Sequence, residues 1–456
     1  MRSFASAATL VVAAGLAGGS PPAAAAGAFV LPSKGCPMAH CDARLSDGVG
    51  LAPPVAAVEV HVDRDSAGAV GGLGCVSNSR LAACTGSADP SQMSNLSVYD
   101  ADGRLLWQDG GLLDETAWYS AALISADDQV IAADRNSLIR VAPLTGQILW
   151  QQSKPDDGTP ISPVLFGSDA SMVLLATKAD AGIGEPELSV WDAATGTLLW
   201  HQALSDPLSG ARFATVNTPA VSGNRAYLLA AGVGNPNDAR LTAVDVCESD
   251  LCGGRGRLTV AWQHRYDGPS SASPVLAGNR LFFDGLKGRS TGLFYAVDDL
   301  GATASTAWVK RFRARFGFSA ALDPRGGLWV SPWQSGKLLR LSERNGRSQQ
   351  TVDVAAALSL PAGLSPVTAV SVHAAGDGSA ALVFGAQTAT AADGAFVGAI
   401  DVTAAPGGKG LWHYRVSENT VRKAPTGQFP VVVNTLGARR IVFRGTTGDT
   451  FFIGEP

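Results

Sequence analysis

A two-strand unit that recurs along the chain constrains the fold more than any other feature. Its clearest copy is LSVWDAATGTLLW, residues 188–200. LSVWD alternates apolar and polar side chains as a half-buried strand does, Ala193 to Gly196 supply a tight turn in which Gly196 is free to take positive φ, and Leu198 to Trp200 begin the returning strand. LSVYDADGRLLW repeats it with Asp100, Gly103 and Trp107, and LIRVAPLTGQILW with Gly146 and Trp150 but Ala142 for the aspartate. Longer turns separate Asp245 from Trp262, Asp298 from Trp308 and Asp401 from Trp412. A seventh copy, KLLRLSERNGRSQQ, keeps Gly346 but has Ser342 for aspartate and Gln350 for tryptophan. A hairpin alone is marginal in water, so a chain made of such units must stack them.

A second repeat precedes each hairpin. Ser120-Ala121-Ala122, Ser162-Pro163-Val164, Thr218-Pro219-Ala220, Ser273-Pro274-Val275, Ser319-Ala320-Ala321 and Ser365-Pro366-Val367 read hydroxyl, proline or alanine, small apolar, and Phe429-Pro430-Val431 continues the series. Proline is tolerated at a strand's first residue because no ladder donor is lost there. These triplets mark the innermost strands of four-stranded units, and runs such as RAYLLAAG and RLFFDG are the strands that follow. The tryptophans return at intervals of 43, 50, 62, 46 and 104 residues, the last spanning the degenerate copy; one unit per roughly 50 residues is the length of a propeller blade. Seven units are complete. Residues 429–453 supply three strands of an eighth, and Val55–Val62 is the strand that completes it. Pairing the two ends of the chain closes the ring and leaves the sheets without an open seam. The expected fold is an all-β, eight-bladed β-propeller of four-stranded antiparallel blades, with seven blades as the alternative.

Residues 1–26, with Arg2, a short apolar run and Ala24-Ala25-Ala26, read as a secretory signal peptide, too short and glycine-broken for a membrane span. Residues 27–54 form a Gly/Pro/Ala-rich extended leader and residues 55–456 the propeller. In an exported chain the local pairs Cys36 and Cys41, Cys75 and Cys84, and Cys247 and Cys252 read as disulfides. Zinc motifs hold two residues between paired cysteines rather than the four of CPMAHC and CESDLC, so no metal site is expected. A net charge of -4 gives no basic footprint for nucleic acid. A periplasmic or secreted monomer without a transmembrane segment in the mature chain is expected.

The spacing of aspartate, two to three residues, glycine, three residues and tryptophan resembles the PQQ-like propeller repeat, shared by quinoprotein alcohol dehydrogenases and by the propeller lipoprotein of the outer-membrane assembly machinery. The resemblance covers roughly residues 55–456. It implies that Trp107, Trp150, Trp200, Trp262, Trp308 and Trp412 dock between blades as a structural girdle. In the dehydrogenases PQQ lies between a vicinal disulfide and a tryptophan, beside calcium held by acidic and amide side chains. This chain has no adjacent cysteine pair, and no Glu, Asn and Asp set can be placed on consecutive inner loops. Neither PQQ nor calcium is therefore expected. The repeat aspartates are read as turn caps.

No catalytic residue is assigned: the six histidines are scattered and no Gly-x-Ser-x-Gly, HExxH or P-loop occurs. Loops joining fourth to first and second to third strands share the face that rims the channel mouth, the default place for a ligand. Two of them should be neighbours there, Lys310–Phe316 (KRFRARF) and Ser331–Gln334 (SPWQ), bringing Arg313 and Arg315 to Trp333. Trp118 and Tyr119 precede the second blade, and His264 and Tyr266 lead into the fifth. The alternative for KRFRARF is an outer strand with solvated arginines. The function expected is that of a non-catalytic exported scaffold for an unidentified protein partner. A glycan- or small-anion-binding module and a PQQ-dependent dehydrogenase are the alternatives.

Overall fold

A computed structural model describes residues 27–455 except 57, 64–69, 88–94, 114–119, 179–186, 206–209, 211, 216, 234, 271, 289, 367, 375–376, 389–394, 404–405, 417–433, 436–438 and 445–449. Eight antiparallel sheets follow one another around a ring. Blade 1 contains Val70–Ser77, Leu81–Ser87, Leu96–Asp100 and Leu105–Gln108. Blades 2 to 7 occupy residues 123–153, 164–203, 220–267, 275–312, 321–353 and 371–416. In blade 8, Asn434–Thr435, Arg440–Arg444 and Thr450–Gly454 are completed by Glu59–Asp63, whose Val60 faces Ile453. The ends of the chain thus close the ring. The expected triplet Phe429-Pro430-Val431 lies outside the described residues.

In each of blades 1 to 7 the register between third and fourth strands slips by one residue, immediately before the tryptophan or its replacement: at Leu106, Leu149, Leu199, Ala261, Ala307, Gln349 and Leu411. Such a bulge twists the strand and re-aims the next side chain. Trp150 reaches the following blade, where a Cβ on Gly196 would lie 2.7 Å from its ring, and its Nε1 donates to the Ala193 carbonyl at 3.3 Å. Trp308 meets Gly346 likewise and donates to the Glu343 carbonyl at 2.9 Å. Trp262 donates to the Asp299 carboxylate at 3.1 Å and Trp412 to the Pro54 carbonyl at 2.6 Å. Trp107 lies against Gly146, and Trp200 packs with Leu198 and Leu199 on the core. In blade 8 His61, with Phe452, fills the corresponding place over Gly103. At the degenerate sixth blade, Val352 faces Gly408 and the short helix Val354–Leu358 packs on Gly398 and Gly410. Those glycines admit the helix where a side chain would exclude it.

The turn aspartates divide by their neighbours. Asp100 accepts from the backbone of Asp102 and Arg104, and Asp192 from Ala194 and Thr195. Asp245 and Asp298 face Arg225 and Arg280 across the sheet and form two-pronged ion pairs instead, starting at 2.6 Å. An arginine directly opposite offers a charge-assisted partner that a turn amide cannot match.

The hydroxyl triplets do open the inner strands, and their hydroxyls tie neighbouring blades. Ala121 N–H donates to Ser162 Oγ, Thr218 N–H to Ser273 Oγ and Ser273 N–H to Ser319 Oγ, at 2.9–3.1 Å. Blade 7 departs from the expectation. Leu364–Pro366 pairs with the far end of the second strand, and the innermost strand is Ser371–Ala374, so the triplet that opens it is Thr368-Ala369-Val370 and not Ser365-Pro366-Val367. The extra segment has counterparts at Thr159–Pro160 and Phe213–Thr215 in blades 3 and 4.

Residues 27–54 are not a free leader. Pro37, Ala43, Arg44, Ser46 and Asp47 offer their carbonyls to the N–H groups of Ile124, Val221, Leu276, Leu322 and Val372, at 2.6–2.9 Å, serving blades 2, 4, 5, 6 and 7 in turn. Cys36 exchanges two backbone bonds with Ser77 of blade 1, and Gly48–Val49 pairs in parallel with Val372–His373. Met38 and Leu45 are fully buried. The segment is a lid that spans the axis on the side of the turns between first and second strands.

Candidate binding face at the channel mouth

The lid covers one end of the axis, and the fourth-to-first and second-to-third loops rim the opposite face. KRFRARF divides there. Lys310, Arg311 and Phe312 belong to the outer strand Ala304–Phe312 of blade 5, and Arg313 to Phe316 form the loop into blade 6. Exposure alternates: Arg311, Arg313 and Arg315 face solvent, while Phe312 is half-buried and Phe316 buried. Phe316 anchors the loop, meeting Phe312 edge-on at 4.8 Å and Phe294 at 5.5 Å. Lys310 is held down, donating to the Gly346 carbonyl at 2.8 Å and to Ser348 Oγ at 3.1 Å; burial keeps its pKa below the usual lysine value.

The two loops meet as their topology requires. Phe316 and Pro332 form a β-bridge, and Trp333 N–H donates to the Arg315 carbonyl at 2.8 Å. The Arg315 guanidinium lies 5.5 Å over the Trp333 ring, which leans on Phe318 at 5.8 Å. Stacking occupies the face of the guanidinium and leaves its N–H edge outward. Among the described residues no carboxylate lies within ion-pair distance of Arg311, Arg313 or Arg315.

His264 and Tyr266 stand apart from this patch. His264 is half-buried on the outer strand of blade 4, where its Nε2 meets Thr306 Oγ1 of blade 5 at 2.8 Å, and burial lowers its pKa. Tyr266 is buried between blades, edge-on to Phe283 and Tyr295 at 4.9 and 5.8 Å. Burial, with the Asp284 charge, pushes its hydroxyl well above the ordinary tyrosine range. Trp118 and Tyr119 lie outside the described residues.

The covered end holds polar groups whose placement is not apparent from their positions in the chain. His40 Nδ1 lies 3.0 and 3.1 Å from the two carboxylate oxygens of Asp47. Burial alone would lower the His40 pKa, but the Asp47 charge and hydrogen bond raise it overall. His40, Cys41, Leu45 and Asp47 all take left-handed backbone, φ 49–72°, a cost that the surrounding bonds must offset. His373, buried on blade 7, donates from Nδ1 to the Leu51 carbonyl at 3.2 Å. Disulfides join Cys36 to Cys41, Cys75 to Cys84 and Cys247 to Cys252. The last bridges a blade 4 turn that reaches blade 3 through Arg255 and Asp192, 2.7 Å apart. No group of three His, Cys, Asp or Glu among the described residues is placed to hold a metal ion. No described helix is long and apolar enough to cross a membrane.

A family model described as outer membrane protein assembly factor BamB matches residues 135–250, about a quarter of the chain. No curated protein matches. Among solved structures, the quinohemoprotein alcohol dehydrogenase of Comamonas testosteroni is 12% identical, covering 94% of this chain and 82% of its own, with a TM-score of 0.61. Another from Pseudomonas putida is 12% identical, with coverages of 93% and 80% and a TM-score of 0.63. A europium-containing methanol dehydrogenase is 11% identical, with coverages of 92% and 98% and a TM-score of 0.61. At such identities the likeness is one of architecture: the chain has the eight-bladed fold of the PQQ-like propellers.

Proposed function

We propose that this protein is a non-catalytic propeller working outside the cytoplasm, a scaffold that presents the loops between blades 5 and 6 to a partner protein. The observation that carries this reading is the Arg315–Trp333 stack, 5.5 Å apart and flanked by exposed Arg313. Tryptophan and arginine dominate interface hot spots, and here the Phe316–Pro332 bridge and the main-chain bond from Trp333 to Arg315 tie together the two loops that carry them. The local match to an assembly-factor family supports a partner-binding role. Three disulfides support an oxidising compartment.

A quinone-dependent oxidation is the reading it competes with, given the fold shared with alcohol dehydrogenases. Two features speak against the PQQ and calcium arrangement that the resemblance implies. Each disulfide joins cysteines five or nine positions apart rather than adjacent ones, and the described side chains offer no converging acidic set for a hard cation. Two measurements test the proposal. Affinity capture from envelope and secreted fractions should retain a partner on the native protein and lose it on the R313A/R315A/W333A variant; identical retention would contradict the proposal. Supplying PQQ and calcium should yield no dye-coupled oxidation of alcohols or sugars, and sustained turnover would replace the scaffold with an enzyme.

A further inference from the structure

Resting on that reading of the blade 5–6 face, we infer that it receives an acidic segment of the partner, bound in extended form beside the outer strand Ala304–Phe312. Charge favours such an occupant. Arg311, Arg313 and Arg315 are exposed, and their side chains make no ion pair with any described carboxylate, although the chain as a whole carries a net charge of -4. A guanidinium stacked on an indole is pre-oriented, so less side-chain freedom is lost when its N–H edge takes a carboxylate.

The pattern of exposure favours it too. Val309, Arg311, Arg313 and Arg315 are exposed at every second residue, running from the strand into the loop, so the three cations follow one another along one side of the chain. An extended peptide with carboxylates at alternate positions likewise presents them along one side. The strand itself offers an edge. Ala304–Phe312 is the last strand of its sheet, and among the described residues it pairs on one side only, with Thr291–Asp299. Its other edge offers main-chain groups to an added strand, and exposed Val309 gives that strand an apolar contact.

Cations on edge strands also discourage unwanted pairing. That account covers Arg311, which lies within the strand. It does not cover Arg313 and Arg315, which lie beyond its end at Phe312, or the stack on Trp333. A sugar is disfavoured because Arg315 already covers the Trp333 ring.

The test uses the full chain and a fluorescent peptide of eight residues with glutamate at alternate positions and threonine between them. Its controls are the same peptide with glutamine for glutamate and a sulfated oligosaccharide. Anisotropy at low salt should show the glutamate peptide binding at least about tenfold more tightly than the glutamine peptide. Arg315→Ala and Trp333→Leu should each weaken it about tenfold, and the double variant should lose little more than either, because the two act as one unit. Unchanged thermal unfolding of these surface variants confirms that they fold. Equal binding of the glutamate and glutamine peptides, or binding of the sulfated sugar alone, overturns the acidic segment. If partner capture still depends on Arg313, Arg315 and Trp333 when the glutamate peptide fails, the scaffold reading stands and this inference falls. If capture is also indifferent to them, both fall.

Discussion

His373 makes the junction of lid and propeller sensitive to acid. It lies on the innermost strand of blade 7 with 1% of its surface exposed, and burial pushes its pKa down to about 4, against the opposing effect of its hydrogen bond to the Leu51 carbonyl. The unfolded chain takes up this proton near the ordinary histidine value of 6.5. Between pH 6.5 and about 4 the unfolded state therefore binds more protons than the folded state, and stability falls with falling pH. At roughly 1.4 kcal/mol per pKa unit the full loss is about 3 kcal/mol, most of it incurred by about pH 4.5. His373→Gln keeps an N–H for the Leu51 carbonyl and removes the titration. The assay is equilibrium denaturation of both proteins from pH 7.5 to 4.5. Whatever the variant costs at neutral pH, its stability relative to the native protein should rise by about 2–3 kcal/mol over that range. Carboxylates that titrate in the same window cancel in the difference. Parallel pH dependences would show that His373 is not buried against the lid.

Two further substitutions probe the girdle and the lid. Gly196→Ala should destabilise more than Gly223→Ala. Both glycines have positive φ, at 71° and 59°, but only Gly196 carries the Trp150 ring, while nothing lies within 4 Å of a Cβ at Gly223. The excess should be about 1–3 kcal/mol by thermal or chemical unfolding, and equal costs would argue against the stack. Leu45→Ala should cost about 2–4 kcal/mol, as for a fully buried leucine, whereas a freely extended leader would tolerate the change.

The architecture was legible in the sequence because propeller blades repeat and each repeat reports on itself. Asp192, Gly196 and Trp200 acquire meaning from their copies, and the missing eighth outer strand could be assigned to Val55–Val62 because closure demands it. Non-repeating contacts were not legible. Residues 27–54 bind through main-chain carbonyls, which no side-chain pattern encodes, so the lid read as a featureless Gly/Pro/Ala stretch. The clustering of Cys36, His40 and Cys41 was visible, but nothing in the spacing pointed His40 toward Asp47. Misplacing the start of blade 7 had a similar cause: Ser365-Pro366 and Thr368-Ala369 carry the same local signal, and only pairing decides between them. At the mouth, topology correctly joined Arg315 to Trp333. It set Tyr266 there too, because chain order cannot distinguish a loop from the buried end of the strand before it.

The decisive measurement resolves the two faces of the ring. A photoreactive residue replacing exposed Lys337, beside the Ser331–Gln334 loop, samples the face opposite the lid, and one replacing exposed Leu300, in a blade 5 turn, samples the lid side. Illumination in the cells that make the protein should give a discrete adduct from position 337, lost when Arg313, Arg315 and Trp333 are also replaced, and none from position 300. An adduct from position 300 alone, or one from 337 that survives those replacements, would contradict a partner-binding face between blades 5 and 6.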